Sequence, residues 1–142
     1  MNKIIELQRN YFNTGATLGY DFRINQLKRL RSIIRKYEPE IIEAFLKDYN
    51  KSAFDVISTE IGYALTELNH LIRRLKKLMK PQKVKTSIIN RPSKGYIVPE
   101  PYGVALVVAP WNYPFNLSFV PLAAAMAAGN TVVLKLSTNT PC

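Results

Sequence analysis

The sequence predicts an α/β fold in which an N-terminal layer of helices precedes the start of a parallel sheet. Two observations predict it. Residues 1–81 carry apolar side chains at helical spacing, whereas residues 101–142 contain two continuous apolar runs on either side of a helical segment. Of the 142 residues, 47% are hydrophobic, which is enough for a packed core and excludes a disordered chain.

The first half of the chain predicts four helices. Residues 4–12 place their apolar side chains on one helical face. The second helix covers 22–37, and Asp21 is its candidate N-cap. The Glu-Pro-Glu segment at 38–40 begins the third, because proline suits the first turn and acidic side chains suit the positive end of the helix dipole. The fourth is a long helix over about 53–79, which the following proline terminates.

The middle of the chain predicts a β arm. Residues 83–90 and 94–100 favour extended chain, and an Arg-Pro-Ser turn at 91–93 joins them. We therefore expect two extended segments that fold back on each other between the helices and the apolar runs.

The last part predicts a strand–helix–strand unit. Residues 103–109 form an apolar run typical of a strand covered on both faces, as in a parallel sheet. Residues 117–128 predict a helix, with Gly129 just past its C-terminus, and 131–135 predict a second short strand. Such a unit should cross over right-handedly and begin a Rossmann-like parallel sheet.

The charge of the chain is strongly basic and uneven. The formal net charge is +10, and the segment 73–94 contains nine basic residues and no acidic one. One interpretation is a basic helical module that binds nucleic acid, which predicts steeply salt-dependent binding to any DNA. The other, which we favour, is a solvated surface that meets acidic side chains elsewhere.

Targeting signals and cysteine usage favour a cytoplasmic protein. The first residues lack the pattern of a signal peptide, and the most apolar stretch, 117–134, is interrupted by proline, glycine and asparagine. No membrane span is therefore expected. A single cysteine, Cys142, excludes an intramolecular disulfide and is consistent with a reducing compartment.

The candidate ligand site follows from the predicted sheet, because ligands of open parallel sheets bind beyond the carboxyl ends of the strands. Residues 110–115 and 135–138 occupy that position. The amide of Asn112 offers two donors without a titrating charge, and a rigidly held amide can stabilise an oxyanion by roughly 3–4 kcal/mol. The alternative, which the residues alone favour, is that Asn112 only bonds the loop backbone.

Lys135 is the second candidate. A cation at the end of an apolar strand suits a ribose or a phosphate, whereas the alternative is a lysine that reaches water along its apolar stem. The nearby Gly103 and Gly129 do not form a Gly-x-Gly-x-x-Gly fingerprint. Dinucleotide binding therefore does not follow from the pattern alone.

Two sequence blocks carry a resemblance to a known family. Residues 100–115, EPYGVALVVAPWNYPF, resemble the EP-x-G…PWN-x-P block of the aldehyde dehydrogenases, and 127–135, AAGNTVVLK, resemble the AAGN-x-V-x-x-K block that follows it. The order and the short gap also match. Four earlier segments are similar to the class 3-like branch of that family: Tyr11–Gly15, Phe22–Leu27, Asp48–Lys51 and Glu60–Gly62.

The resemblance implies oxidation of an aldehyde to a carboxylic acid with NAD or NADP. In the family a cysteine thiolate attacks the aldehyde, hydride passes to the nicotinamide, and water hydrolyses the thioester. Asn112 matches the asparagine whose amide stabilises the oxyanion of the thiohemiacetal. Ala109, Pro110 and Trp111 match the loop that lines the cofactor, and Lys135 matches the lysine that reaches the adenosine ribose. No metal is implied.

One departure from the family bears on the choice of cofactor. The family usually reads Lys-Pro-Ser-Glu where this chain reads Lys-Leu-Ser-Thr at 135–138. Ser137 matches the family serine. Thr138 occupies the position of the family glutamate, which binds ribose hydroxyls and repels a 2′-phosphate. Since Thr138 removes that charge, we expect NADP to be accepted as well as NAD.

The resemblance also divides the chain. Residues 1–81 would be the helical part of the cofactor-binding domain, 82–100 the β arm of the oligomerisation region, and 101–142 the first strand–helix–strand unit of the Rossmann-like domain. The arm implies a homodimer of the complete protein.

The catalytic machinery of the family is not complete in these 142 residues. Cys142 does not match the nucleophile, and the family's glutamate base also lies further along the chain. Since Asn139-Thr140-Pro141 predicts the start of another helix, we interpret the sequence as an N-terminal portion that does not turn over aldehydes by itself. A non-catalytic interaction protein is the alternative.

Overall fold

The computed structural model describes residues 2–142 as a layer of helices followed by two small sheets. The helices are α1 (Asn2–Asn13), α2 (Tyr20–Lys36), α3 (Glu38–Tyr49), α4 (Ala53–Val56), α5 (Gly62–Leu78) and α6 (Asn116–Ala128). The strands are β1 (Gln82–Val84), β2 (Gly95–Ile97), β3 (Val104–Val108) and β4 (Thr131–Lys135). The predicted fold class is confirmed.

The N-terminal helices form where the periodicity places them, but the predicted cap of α2 is wrong. Gly19 is the N-cap residue, and Asp21 lies within the first turn. A carboxylate there still interacts favourably with the positive end of the helix dipole. Helix α3 has its proline in the first turn as predicted, and Asn50, in the left-handed conformation with φ 53°, ends it.

The predicted long helix over 53–79 is interrupted by one π-helical turn, Ile57–Ile61, between α4 and α5. A Cβ atom on Gly62 would lie 2.5 Å from the carbonyl oxygen of Ile57, so this turn requires glycine there. Glu60 and Ile61 both point into the interior, with exposed fractions of 0% and 1%. The turn therefore brings a carboxylate into the core.

The β arm is shorter than the sequence predicts. Strands β1 and β2 pair antiparallel over three residues, from Gln82 opposite Ile97 to Val84 opposite Gly95. The segment Ile88–Asn90, expected to be extended, forms a 3-10 turn instead. The backbone N–H of Asn90 donates to Ser87 at 3.0 Å, a local bond that competes with extended chain.

The predicted strand–helix–strand unit is present. Strands β3 and β4 pair parallel, from Val104 opposite Thr131 to Val108 opposite Lys135, and α6 joins them. Gly129 ends α6 with φ +94°. The expectation that β3 is covered on both faces is wrong for the described residues, because Leu106 and Val108 are 67% and 60% exposed. No helix among residues 2–142 has the length and hydropathy needed to cross a membrane.

One hydrophobic core joins the helical layer to the strand–helix–strand unit. Its buried side chains come from α2, α3, the α4–α5 segment, the loop before α6, and α6 itself. They are Ile24, Leu27, Ile34, Phe45, Val56, Ile61, Ala64, Leu68, Leu75, Phe115, Ala123 and Ala127. The loop after β3 is therefore anchored in the same core as the helices.

A buried arginine in α2 joins the helical layer to the last turn of α6. Arg23 donates from Nε to the carbonyl oxygen of Thr17 at 2.9 Å and from Nη1 to that of Ala127 at 3.3 Å. Ala127 lies in the last turn of α6, where the negative end of the helix dipole favours a cation. Burial lowers the pKa of the guanidinium, but an arginine remains charged at neutral pH.

We expect Gly129→Ala to lower the free energy of unfolding by about 2 kcal/mol, because a side chain disfavours this left-handed conformation. The new Cβ atom would also lie 2.5 Å from Cζ of Arg23. Urea unfolding followed by far-UV circular dichroism measures the change. Gly19→Ala is the matched control, since a Cβ atom on Gly19 meets nothing within 4 Å. Equal stabilities of the two variants would contradict the packing described here.

Candidate functional site

The two predicted site segments lie side by side at one edge of the sheet. The N–H of Ala109 donates to the carbonyl oxygen of Lys135 at 3.0 Å, so the chain leaves β3 and β4 at neighbouring positions. The loop 109–115 and the stretch 135–138 therefore begin together at the carboxyl ends of two parallel strands. This is the place where open α/β sheets bind ligands.

Asn112 is exposed in the loop after β3. Among the residues that the structure describes, its side chain makes no hydrogen bond. The alternative interpretation, that this amide braces the loop backbone, is therefore not what the structure has. Both N–H donors of the amide are free to bond a ligand.

Side chains other than that of Asn112 hold the loop 110–115 in place. The hydroxyl of Tyr49 donates to the carbonyl oxygen of Trp111, and that of Ser118 donates to Pro114. Desolvation by burial raises the pKa of the Tyr49 hydroxyl further above neutral, so the group is a protonated donor at neutral pH. Phe115 is buried, and its ring centroid lies 4.2 Å from that of Phe119.

A buried carboxylate lies at the end of the same loop. Oε1 of Glu60 is 3.0 Å from Nζ of Lys51, and Oε2 accepts the backbone N–H of Asn116 at 2.9 Å. Asn116 is the first residue of α6, where the positive end of the dipole favours an anion. The side-chain amide of Asn116 donates to the carbonyl oxygen of Thr59 at 3.3 Å. These contacts bind the start of α6 to the π-helical turn.

No role of Tyr49, Lys51 or Glu60 was predicted from the sequence, although all three fall in segments that resemble the family. One feature of the sequence could have identified Glu60. Glu60 lies four residues after Val56 and four before Ala64, on the apolar face of the predicted helix. A carboxylate on the apolar face of a helix needs a partner in the protein interior. Such a residue is therefore a candidate for a structural or functional role.

Of the other predicted cofactor residues, Ala109 is buried, whereas Pro110, Lys135 and Thr138 are exposed. Lys135 is exposed, and its Nζ is 3.4 Å from the carbonyl oxygen of Leu136. Ser137 accepts the backbone N–H of Asn139 at 3.2 Å through Oγ, and the exposed Thr138 lies within the turn that this bond closes. Both interpretations of Lys135 place its ammonium group at the surface, so its contact with a ribose remains a prediction.

The residues present fit an anionic dinucleotide. Residues 101–142 contain one lysine and no aspartate or glutamate, so the sheet edge offers a positive charge and no carboxylate of its own. Ala109 is buried, with 5% of its surface exposed, whereas Trp111 in the same loop is 55% exposed. A diphosphate and an adenosine would meet no carboxylate from this segment.

Cys142 is exposed, and its backbone N–H donates to Oδ2 of Asp48 at 3.1 Å. A side-chain hydrogen bond to Asp48, followed by desolvation, raises the pKa of the thiol. Since the thiolate is the nucleophilic form, this environment disfavours attack by Cys142 at neutral pH. Its interpretation as a thiol without a catalytic role stays a prediction.

The fold defines an α/β protein in which a helical layer precedes a strand–helix–strand unit with two parallel strands, the start of a Rossmann-like sheet. The family model described as the aldehyde dehydrogenase family matches residues 1–142. The chain belongs to the aldehyde dehydrogenase family.

Individual relatives agree with this assignment. The chain is 44% identical over 131 residues to 4,4'-diaponeurosporen-aldehyde dehydrogenase of Staphylococcus aureus, covering 92% of the chain and 28% of that protein. It is 41% identical over 140 residues to aldehyde dehydrogenase family 3 member H1 of Arabidopsis thaliana, covering 99% and 29%. The predicted resemblance to the class 3-like branch is confirmed.

A solved structure gives the same result. The substrate-bound state of Staphylococcus aureus AldH superposes with a TM-score of 0.95 at 40% identity, covering 99% of this chain and 31% of that one. The chain thus spans less than a third of the length of these relatives. All of them extend well beyond the part that it matches.

Proposed function

We propose that residues 109–112 and 135–138 form part of an NAD(P) and aldehyde site. Joined to the remaining length of its relatives, this chain would contribute to oxidation of an aldehyde to a carboxylic acid. The observation that carries the proposal is the position of the free Asn112 amide. It lies on a braced loop at the sheet edge where Ala109 bonds Lys135 at 3.0 Å.

Each residue would have a distinct task. Asn112 would donate its amide hydrogens to the oxygen that gains charge as the aldehyde is attacked. Ala109, Pro110 and Trp111 would form the wall of the cofactor cleft, and Lys135 would bond a ribose hydroxyl. Bound NAD(P) would accept the hydride, which is chemistry that no side chain supplies.

We also propose that Thr138 permits a 2′-phosphate on the ribose. Its side chain is exposed and uncharged, whereas a carboxylate at this position would repel that phosphate. The turn that Ser137 closes around Thr138 would present this side chain to the ribose. Cofactors of both kinds would therefore bind.

A chimera tests the proposal. Residues 1–142 would replace the matching part of the Staphylococcus aureus relative, which is 44% identical over the matched region. Turnover of an aldehyde with either cofactor, followed by absorbance of the reduced nicotinamide, is the expected result. A folded chimera that neither binds NAD(P) nor oxidises aldehydes would contradict the proposed function.

The same chimera tests cofactor choice. We expect Thr138→Glu to raise KM for NADP at least tenfold relative to KM for NAD, since a repulsion of about 1.4 kcal/mol corresponds to tenfold. Ser137 and Lys135 stay unchanged in this variant. Strict preference for NAD in the unsubstituted chimera would rule out the role of Thr138.

The hairpin supports a proposal about assembly. We infer that 82–100 is the oligomerisation arm, that 1–81 and 101–142 belong to the cofactor-binding domain, and that the complete protein is a homodimer. The arm exposes apolar side chains at its tip, with Ile88 and Ile89 at 76% and 88% exposure, which a partner surface would cover. A monomeric chimera in light scattering would contradict this assignment.

A further inference from the structure

We propose that Glu60 is a positioning residue for the loop 110–115, which carries Asn112. The importance of this position for catalysis rests on the proposed function, whereas the contacts themselves are features of the fold. Glu60 would act through two groups, one at the C-terminal end of the loop and one that contacts its middle. One is the backbone N–H of Asn116, and the other is the ammonium group of Lys51.

The first contact fixes where the loop ends. Oε2 of Glu60 accepts the N–H of Asn116 at 2.9 Å, and the side-chain amide of Asn116 donates to Thr59 at 3.3 Å. Two bonds thus join the first residue of α6 to the π-helical turn. Because Glu60 is fully buried, this carboxylate cannot exchange its bond for water without opening the core.

The second contact reaches the middle of the loop. Nζ of Lys51, 3.0 Å from Oε1 of Glu60, lies 4.9 Å from the ring centroid of Tyr113. A cation over an aromatic face is attracted by the negative face of the ring. Tyr113 directly follows Asn112, so the pair Glu60–Lys51 holds the residue next to the candidate oxyanion donor.

The π-helical turn between α4 and α5 places the Glu60 carboxylate in the core. Without the π-helical turn the segment would continue as a regular α-helix, and the turn is possible only because Gly62 has no side chain. Single π-helical turns of this type are frequently found at functional sites. A buried ion pair is also weak evidence for stability, since apolar residues of similar volume often serve as well. Holding one loop geometry is a role that apolar residues would not fill.

The single tryptophan of the chain reports on the loop directly, because Trp111 neighbours Asn112. The 142-residue chain would be labelled with 5-fluorotryptophan and measured by 19F NMR. We expect one resonance in the parent chain and a shifted or split resonance in Glu60→Gln, with far-UV circular dichroism unchanged. A purely structural role would change the unfolding midpoint and leave the resonance of the folded state in place.

Glu43→Gln is the matched control. Glu43 is an exposed carboxylate paired with Lys47 at 2.7 Å, so the same chemical change is made away from the loop. Its resonance should coincide with that of the parent. A resonance of folded Glu60→Gln at the parent position would overturn the proposal.

A second variant covers the case in which Glu60→Gln does not fold. Lys51→Gln keeps a donor for the carboxylate but removes the charge over Tyr113, and it should also shift the resonance of Trp111. Lys51→Arg, which keeps the charge, should restore the parent spectrum. An unshifted resonance in folded Lys51→Gln, or loss of structure in both variants, would overturn the positioning role. Because no cofactor is added, failure of the proposed function would leave these spectra unaffected.

Discussion

Replacing Asn112 with alanine in the chimera is expected to lower kcat about 10²–10³-fold, the usual loss when one oxyanion donor is removed. The amide bonds no other residue that the structure describes, so the loss would not come from a broken brace in the loop. An interaction made only in the transition state lowers kcat and kcat/KM equally, so KM for the aldehyde should change little. Steady-state kinetics with absorbance of the reduced cofactor measures all three quantities.

Two controls keep this result specific. Asn10→Ala makes the same change at an exposed asparagine in α1, and it should leave kcat within about twofold because surface substitutions have small effects. The unfolding midpoint of Asn112→Ala should match that of the unsubstituted chimera. Unchanged turnover in Asn112→Ala would remove this residue from the proposed mechanism.

Much of the fold could be predicted because its signals are local. The apolar period places α2 and α3, and the Glu-Pro-Glu segment marks the start of α3. The continuous run before the loop and the left-handed Gly129 bound β3 and α6. Each of these signals depends on neighbours within one or two turns, which is the range over which a sequence constrains its backbone directly.

The π-helical turn could not be predicted in this way. Val56, Glu60 and Ala64 keep the spacing of an ordinary helix, and a single extra residue in the hydrogen-bonding pattern leaves the apolar period on either side intact. The partner that stabilises Glu60, Asn116, is 56 residues away in the chain. No local pattern contains information about that contact.

The candidate site was predicted in position but not in detail. Parallel strands end at one edge, and this rule alone brings the segments 110–115 and 135–138 together. Whether the amide of Asn112 faces its own backbone or a ligand depends on the path of the loop. That path is set by Tyr49, Lys51 and Glu60, which reach the loop from the helical layer.

The largest expected effect on stability comes from breaking the buried ion pair on one side. We expect Lys51→Met to lower the free energy of unfolding by about 3 kcal/mol, since it leaves the Glu60 carboxylate buried and without its cation. The side chain of Lys51 is 23% exposed and that of Glu60 is 0% exposed, so the two partners lose different amounts of hydration. Urea denaturation at neutral pH measures this change.

The difference in exposure between the side chains of Lys51 and Glu60 predicts the outcome of a double-mutant cycle. Glu60→Gln should cost less, about 1–2 kcal/mol, because the amide oxygen still accepts the N–H of Asn116 and the remaining Lys51 can reach water. The double variant Lys51→Met/Glu60→Gln should therefore be more stable than Lys51→Met alone, since it no longer buries an unpaired charge. If the double variant loses as much free energy of unfolding as the two single variants together, Lys51 and Glu60 act independently. The 3.0 Å contact would then contribute nothing to the fold.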